Sequence, residues 1–125
     1  MSGISGKSIL VVEDESIIAA FVEDLLIELG ATVVGPAYSV AQGLRLVAAN
    51  AIDAALLDVN VRNESIVPLR DELRRKGIPV VFATGYGQDR SREVTGGFVV
   101  VDKPYSKDRI ARALSDCLAD KQDAG

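Results

Sequence analysis

Histidine is absent from this 125-residue sequence, and cysteine occurs once, at Cys117. Neither a disulfide framework nor a Cys/His zinc site can form within one chain, so any bound metal must be held through oxygen. Apolar runs stop well short of the roughly 18 residues that a membrane-crossing helix needs. The start, Met1 to Lys7, lacks the long apolar segment of a secretory signal. A cytoplasmic protein without membrane association is the expectation. Basic residues are also scarce, 14 against 18 acidic for a net charge of −4, and no basic stripe or aromatic-rich platform is present. Direct nucleic-acid binding is therefore not expected.

What the chain does have is apolar content, 48%, enough for one packed core at this length. Five short runs rich in β-branched residues read as strands: Ile9 to Val12, Thr32 to Val34, Ala54 to Leu57, Pro79 to Ala83 and Phe98 to Val101. They are nearly continuous in apolarity, the pattern of a parallel sheet covered on both faces. Ile17, Ile18, Phe21, Val22, Leu25, Leu26 and Leu29 recur at helical spacing, with Gly30 placed to end that helix in a left-handed conformation. Val40, Leu44 and Val47 mark a second helix. Leu69 and Leu73 mark a third, with Pro68 in its first turn and Gly77 after it. Ser106 is placed to N-cap a last helix whose apolar stripe is Ile110, Leu114, Cys117 and Leu118, Cys117 filling core space. Tyr86 to Gly97 is glycine-rich and has no apolar stripe, so the fourth helix is predicted to be short or mobile. Repeated βα units of this length wind right-handed and put helices on both sides of one sheet. The expected boundaries are a tail over 1–6, one domain over 7–119 and a polar tail over 120–125.

In open parallel sheets ligands bind beyond the carboxyl ends of the strands, so the residues just after each apolar run carry the chemistry. Those residues are Glu13-Asp14, Asp58, Thr84 and Asp102-Lys103-Pro104. Taken singly they have plain structural uses: acids at a helix start, Asp58 or Thr84-Gly85 in a turn. Together they make a selective set. Carboxylates converging on one edge repel, and in a site without His or Cys their neutraliser is Mg²⁺ (or Mn²⁺), which takes oxygen ligands. A metal-screened carboxylate can attack phosphorus in line. The Thr84 hydroxyl and the Lys103 ammonium suit phosphoryl oxygens that gather charge.

In this order and at these strand ends, Glu13-Asp14, Asp58, Thr84 and Lys103-Pro104 resemble the receiver domain of two-component response regulators, over about Lys7 to Leu118. The resemblance implies a flavodoxin-like (βα)5 fold, a doubly wound parallel five-stranded sheet of order 2-1-3-4-5. It implies Asp58 as phosphoacceptor, Asp14 as direct metal ligand, Glu13 as a ligand largely through water, and the Asn60 carbonyl completing the protein's share. Lys103 would pair with Asp58 and then with the phosphoryl group, Thr84 would move inward to bond it, and Lys103-Pro104 would be cis. The implied partners are a sensor histidine kinase or histidine phosphotransfer protein, and a downstream protein. The downstream protein would bind the surface of the fourth helix, strand five and the last helix, with Lys107, Arg109 and Arg112 as contacts. Such a domain is a switch rather than a turnover enzyme.

Phe82-Ala83-Thr84-Gly85-Tyr86, with Pro104-Tyr105 after the lysine, further resembles a mostly single-domain receiver subgroup known by its Phe-Ala-Thr-Gly-Tyr motif. One position departs from the general family pattern: Val100 stands where receivers usually carry the aromatic switch residue. Tyr86 and Tyr105 are the switch candidates that remain beside Thr84. Three other functions share parts of this pattern. A small phosphohydrolase forming an aspartyl phosphate uses similar residues, but the family carries its nucleophile on the first strand, where this chain has Glu13-Asp14. A flavodoxin-like cofactor carrier would place hydroxyls and amides, not Glu13-Asp14-Glu15, against phosphate. A receiver-like module that binds partners without phosphorylation is the third.

Overall fold

The computed structural model describes residues 4–58, 61, 64–84, 100–102, 110–116 and 118. Chain order runs β1 (Ser8–Val12), α1 (Ser16–Glu28), β2 (Thr32–Ala37), α2 (Val40–Ala49), β3 (Ala54–Asp58), α3 (Val67–Arg75), β4 (Val80–Thr84), β5 (Val100–Asp102) and a C-terminal helical segment over 110–116. The strands pair in the order β2-β1-β3-β4-β5, and every described pairing is parallel. This is the doubly wound α/β sheet that the sequence pattern predicts.

Strand geometry sends successive side chains to opposite faces, and each face has its own core. Ile9, Val11, Ala54, Leu56 and Val81 pack with Val22, Leu25 and Leu26 of α1 and with Ile110, Leu114 and Leu118 at the C-terminal end. Leu10, Val12, Ala55, Leu57, Val80 and Phe82 pack with Val40 and Val47 of α2 and Leu69 and Leu73 of α3. Both faces being covered explains why β1 and β3 read as unbroken apolar runs instead of alternating ones. Each large side chain buried this way contributes roughly 2 kcal/mol.

The helix ends follow their local chemistry. Gly30 takes φ +89° just past α1, and the Ala31 N–H returns to the Leu26 carbonyl at 3.0 Å, closing the helix as its glycine predicts. Ser39 caps α2 by accepting from the Gln42 N–H at 3.2 Å. Pro68 sits in the first turn of α3. Two basic residues of α3 pair with acids of the same helix: Arg70 with Asp71 at 2.9 Å and Arg75 with Glu72 at 2.6 Å. The Arg75 guanidinium holds the Glu72 carboxyl below the ordinary carboxylate range. Lys76 donates to the Val47 carbonyl at 3.2 Å, tying the end of α3 to α2.

Three sequence readings change. Ile17 and Phe21 of the α1 stripe are 85% and 47% exposed, while Ala19, Val22, Leu25 and Leu26 face the sheet. Ile17 precedes Leu26 by nine residues, about two and a half turns, which puts it on the opposite face. β2 continues to Ala37 through Gly35 and a cis-bonded Pro36, past the Val34 limit expected from its apolar run. An edge strand tolerates a proline because one side of it pairs with nothing. The expected tail over 1–6 is folded from residue 4: Ile4 is fully buried and the Gly6 N–H donates to the Gly30 carbonyl at 2.8 Å. The fourth-helix segment, the Ser106 cap, Cys117, Phe98 and the polar tail fall outside the described residues.

Candidate functional site

Register brings the acids together. Val12 of β1 lies level with Leu57 of β3, so the next residues, Glu13 and Asp58, emerge side by side at the carboxyl edge of the sheet. On the other flank Asp58 is level with Ala83 of β4, and Thr84 is level with Asp102 of β5. The strand ends named from the sequence thus form one continuous edge.

Glu13, Asp14 and Asp58 each place a carboxylate oxygen so that all three lie within 4.8 Å of one another. Glu13 is 2% exposed and Asp58 5%, the two buried charged residues among the described residues; Asp14 is half-buried. At such a separation two like charges repel by about 3 kcal/mol at an effective dielectric of about 20. The folded chain holds them there through its backbone. The Glu13 N–H donates to the Ala37 carbonyl of β2 at 2.9 Å, and Glu13 Oε2 accepts from the Glu15 N–H at 3.2 Å, at the entrance to α1. An all-oxygen set of this charge fits a hard divalent cation and offers nothing to a soft one.

Of the other sequence-predicted residues, Thr84 is described as the last residue of β4 and Val100 as the first of β5. Asn60, Tyr86, Lys103, Pro104, Tyr105, Lys107 and Arg109 lie outside the described residues, and Arg112 is exposed on the C-terminal helical segment. Three features went unread in the sequence. Ile17 and Phe21 give the first two turns of α1 an exposed apolar surface close after Asp14. Glu64 reaches back from the segment after β3 to accept from the Val40 N–H at 3.4 Å. The cap of α2 was legible in principle, because Ser39-Val40-Ala41-Gln42 has the S-x-x-Q form of a capping box.

Fold and site together define a protein class, and comparison with known proteins agrees. The response regulator receiver domain family matches residues 9–115, and the chain belongs to that family. Among solved structures it is similar to SdrG from Sphingomonas melonis Fr1, at 42% identity over 94% of this chain and 99% of that one, with a TM-score of 0.79. The BeF3-activated conformation of SdrG from Pseudomonas melonis Fr1 is 40% identical over 91% of this chain and 98% of that one, with a TM-score of 0.78. The response regulator PhyR from Brucella abortus is 26% identical, with a TM-score of 0.81; the match covers 95% of this chain but 50% of PhyR, so the chain spans about half that protein's length. No curated protein matches the chain. Among the described residues no helix is long and apolar enough to cross a membrane.

Proposed function

We propose that this receiver domain accepts a phosphoryl group on Asp58 from a phosphohistidine, in a site charged with Mg²⁺ or Mn²⁺, and that the modified state switches its partner-binding surfaces. The observation carrying this reading is the convergence of Glu13, Asp14 and Asp58, with Asp58 buried at the end of β3 between the β1 and β4 ends. Glu13, Asp14, Asp58 and the Asn60 carbonyl would hold the cation. When bound, it offsets the charge of the carboxylates and of the incoming phosphoryl oxygens.

In the transfer an Asp58 carboxylate oxygen forms a bond to phosphorus as the bond from phosphorus to the donor's ring nitrogen breaks, the electron pair returning to that nitrogen. Thr84 and Lys103 donate hydrogen bonds to the phosphoryl oxygens. Water later cleaves the acyl phosphate and restores the carboxylate. Burial of Asp58 limits access to a donor aligned with the mouth of the site. Ile17 and Phe21, exposed on α1 close after Asp14, suit a protein donor better than a small phosphate ester.

SdrG supports the phosphorylated-state reading, since its activated conformation was formed with a beryllofluoride, a tetrahedral mimic of a phosphoryl group. On the Phe82 to Tyr86 motif the chain is read as one of the Phe-Ala-Thr-Gly-Tyr subgroup, in which Tyr86, with Tyr105, would take over the switching task that Val100 cannot perform. The donor would be a sensor histidine kinase or a histidine phosphotransfer protein. Output would pass by contact through β5 and the C-terminal helix, Arg112 included. The domain is assigned to residues 7–119, extended at its start by the packed segment from Ile4, and to the cytoplasm.

Mass spectrometry after exposure to a small phosphodonor tests the assignment. One added phosphoryl group is expected with Mg²⁺ and none without it, and Asp58→Asn should abolish the gain. Labelling that survives Asp58→Asn would remove Asp58 from its role.

A further inference from the structure

The two strand ends that supply the acids are tied together by a bridge outside the acidic hollow. From β1, the Glu13 N–H bonds to the Ala37 carbonyl at 2.9 Å, and Ala37 leads within three residues into α2. The first turn of α2 is stiffened from within, Ser39 Oγ accepting from the Gln42 N–H at 3.2 Å and Gln42 Oε1 accepting from the Tyr38 N–H at 2.7 Å. Val40 still has a first-turn N–H with no partner inside the helix. Its acceptor is Glu64 Oε1 at 3.4 Å, from 24 residues further along the chain. Glu64 is itself fastened to the segment after β3, its N–H donating to the Val61 carbonyl at 2.7 Å. Val61 is fully buried with Leu57, Ile66 and Leu69, three residues after Asp58.

From this path we infer that Glu64 is a positioning residue: it fastens the segment following Asp58 to the first turn of α2, and so sets the fine spacing of the Glu13 and Asp58 carboxylates, beyond what strand register gives, for a divalent cation. The inference rests on the metal-assisted reading above and adds a residue outside the ligand set. A carboxylate is suited to the task because it accepts from a helix start, where the helix dipole favours negative charge. Groups outside a ligand set govern metal affinity where they orient the ligands, and Glu64 would do so through the backbone of the segment it fastens.

Isothermal titration of the full chain with Mn²⁺, together with hydrogen exchange at the Val40 amide in metal-free protein, tests this. Glu64 is exposed, so its truncation leaves the core intact. Glu64→Ala should weaken Mn²⁺ binding about tenfold and speed Val40 exchange. Glu64→Gln keeps an oxygen acceptor without the charge and should bind within about twofold of the parent. Ser39→Ala, which removes only the cap on Gln42, should lower Tm yet leave Mn²⁺ affinity in place. Three results overturn the inference: unchanged affinity in Glu64→Ala, equal losses in Glu64→Gln and Glu64→Ala, or a Ser39→Ala loss as large as that of Glu64→Ala. A parent chain that binds no Mn²⁺ would be a different failure, sinking the metal-assisted reading and this inference with it.

Discussion

Gly35 and Gly43 show how single residues set the spacing around the site. Gly35 lies in β2 at φ +106°, and an added Cβ would stand 2.8 Å from the Ala37 nitrogen and 3.0 Å from the Val11 carbonyl oxygen. Both neighbours are backbone atoms, one in the central strand, so neither can yield. Gly43 has ordinary helical geometry; there a Cβ would meet Leu69 Cδ2 at 2.9 Å and Val12 Cγ2 at 3.3 Å. Leucine's methyl can move a little, but Leu69 is fully buried and Val12 is stiff at χ1. Alanine at position 43 would gain about 1 kcal/mol of helix propensity and lose about 1 to 3 kcal/mol to overpacking. Urea unfolding should therefore show Gly43→Ala less stable by about 1 kcal/mol, and Gly35→Ala less stable by about 3 kcal/mol or more. The reverse ranking would mean that the α2 to α3 contact, not the β2 edge, is the less forgiving of the two.

Elements show a division between what local pattern encodes and what tertiary structure decides. β1, β3 and β4 were legible because burial on both faces leaves an unbroken apolar run, and α1, α2 and α3 because their spacing follows the helical period. The end of β2 was not, since Gly35-Pro36 has the composition of a turn and only its edge position lets it stay extended. The acids were legible because Glu13-Asp14 and Asp58 each come directly after an unbroken apolar run. Glu64 was invisible: a tether across 24 residues leaves no local signature. Apolarity in α1 misled in a different way, because Ile17 and Phe21 are as hydrophobic as the core residues yet face outward. If that surface serves the donor, Ile17→Ala combined with Phe21→Ala should leave Tm and labelling by a small phosphodonor unchanged. Transfer from a phosphohistidine protein should slow at least about tenfold, as expected when interface anchors each contribute 1 kcal/mol or more. Equal rates with both donors in parent and variant would leave the exposed residues without this role.

For the whole molecule, the sheet makes the acidic edge rigid before any cation arrives. β1 and β3 are central strands, paired on both sides and covered on both faces, so the strand ends that carry Glu13 and Asp58 cannot swing apart without breaking ladder bonds or opening a core, and only the finer spacing of the carboxylates is left to local ties. Their repulsion is consequently a cost carried by the folded state alone, since in the unfolded chain the carboxylates separate into water. A cation that binds the converged set but not the dispersed one must stabilise folding by mass action, about 2.7 kcal/mol at a hundredfold excess over its Kd. For a chain of this size that is a rise in Tm of about 10 °C. Calorimetry across a Mg²⁺ series should show Tm climbing with the logarithm of free Mg²⁺ once the site saturates, and falling back when the cation is chelated. Asp14→Asn should flatten that slope, while NaCl at matched ionic strength, which screens but does not coordinate, should reproduce only a small part of it. A Tm indifferent to Mg²⁺ would mean that the hollow tolerates its own charge by other means, and the carboxylates would then need a different reason to be held together.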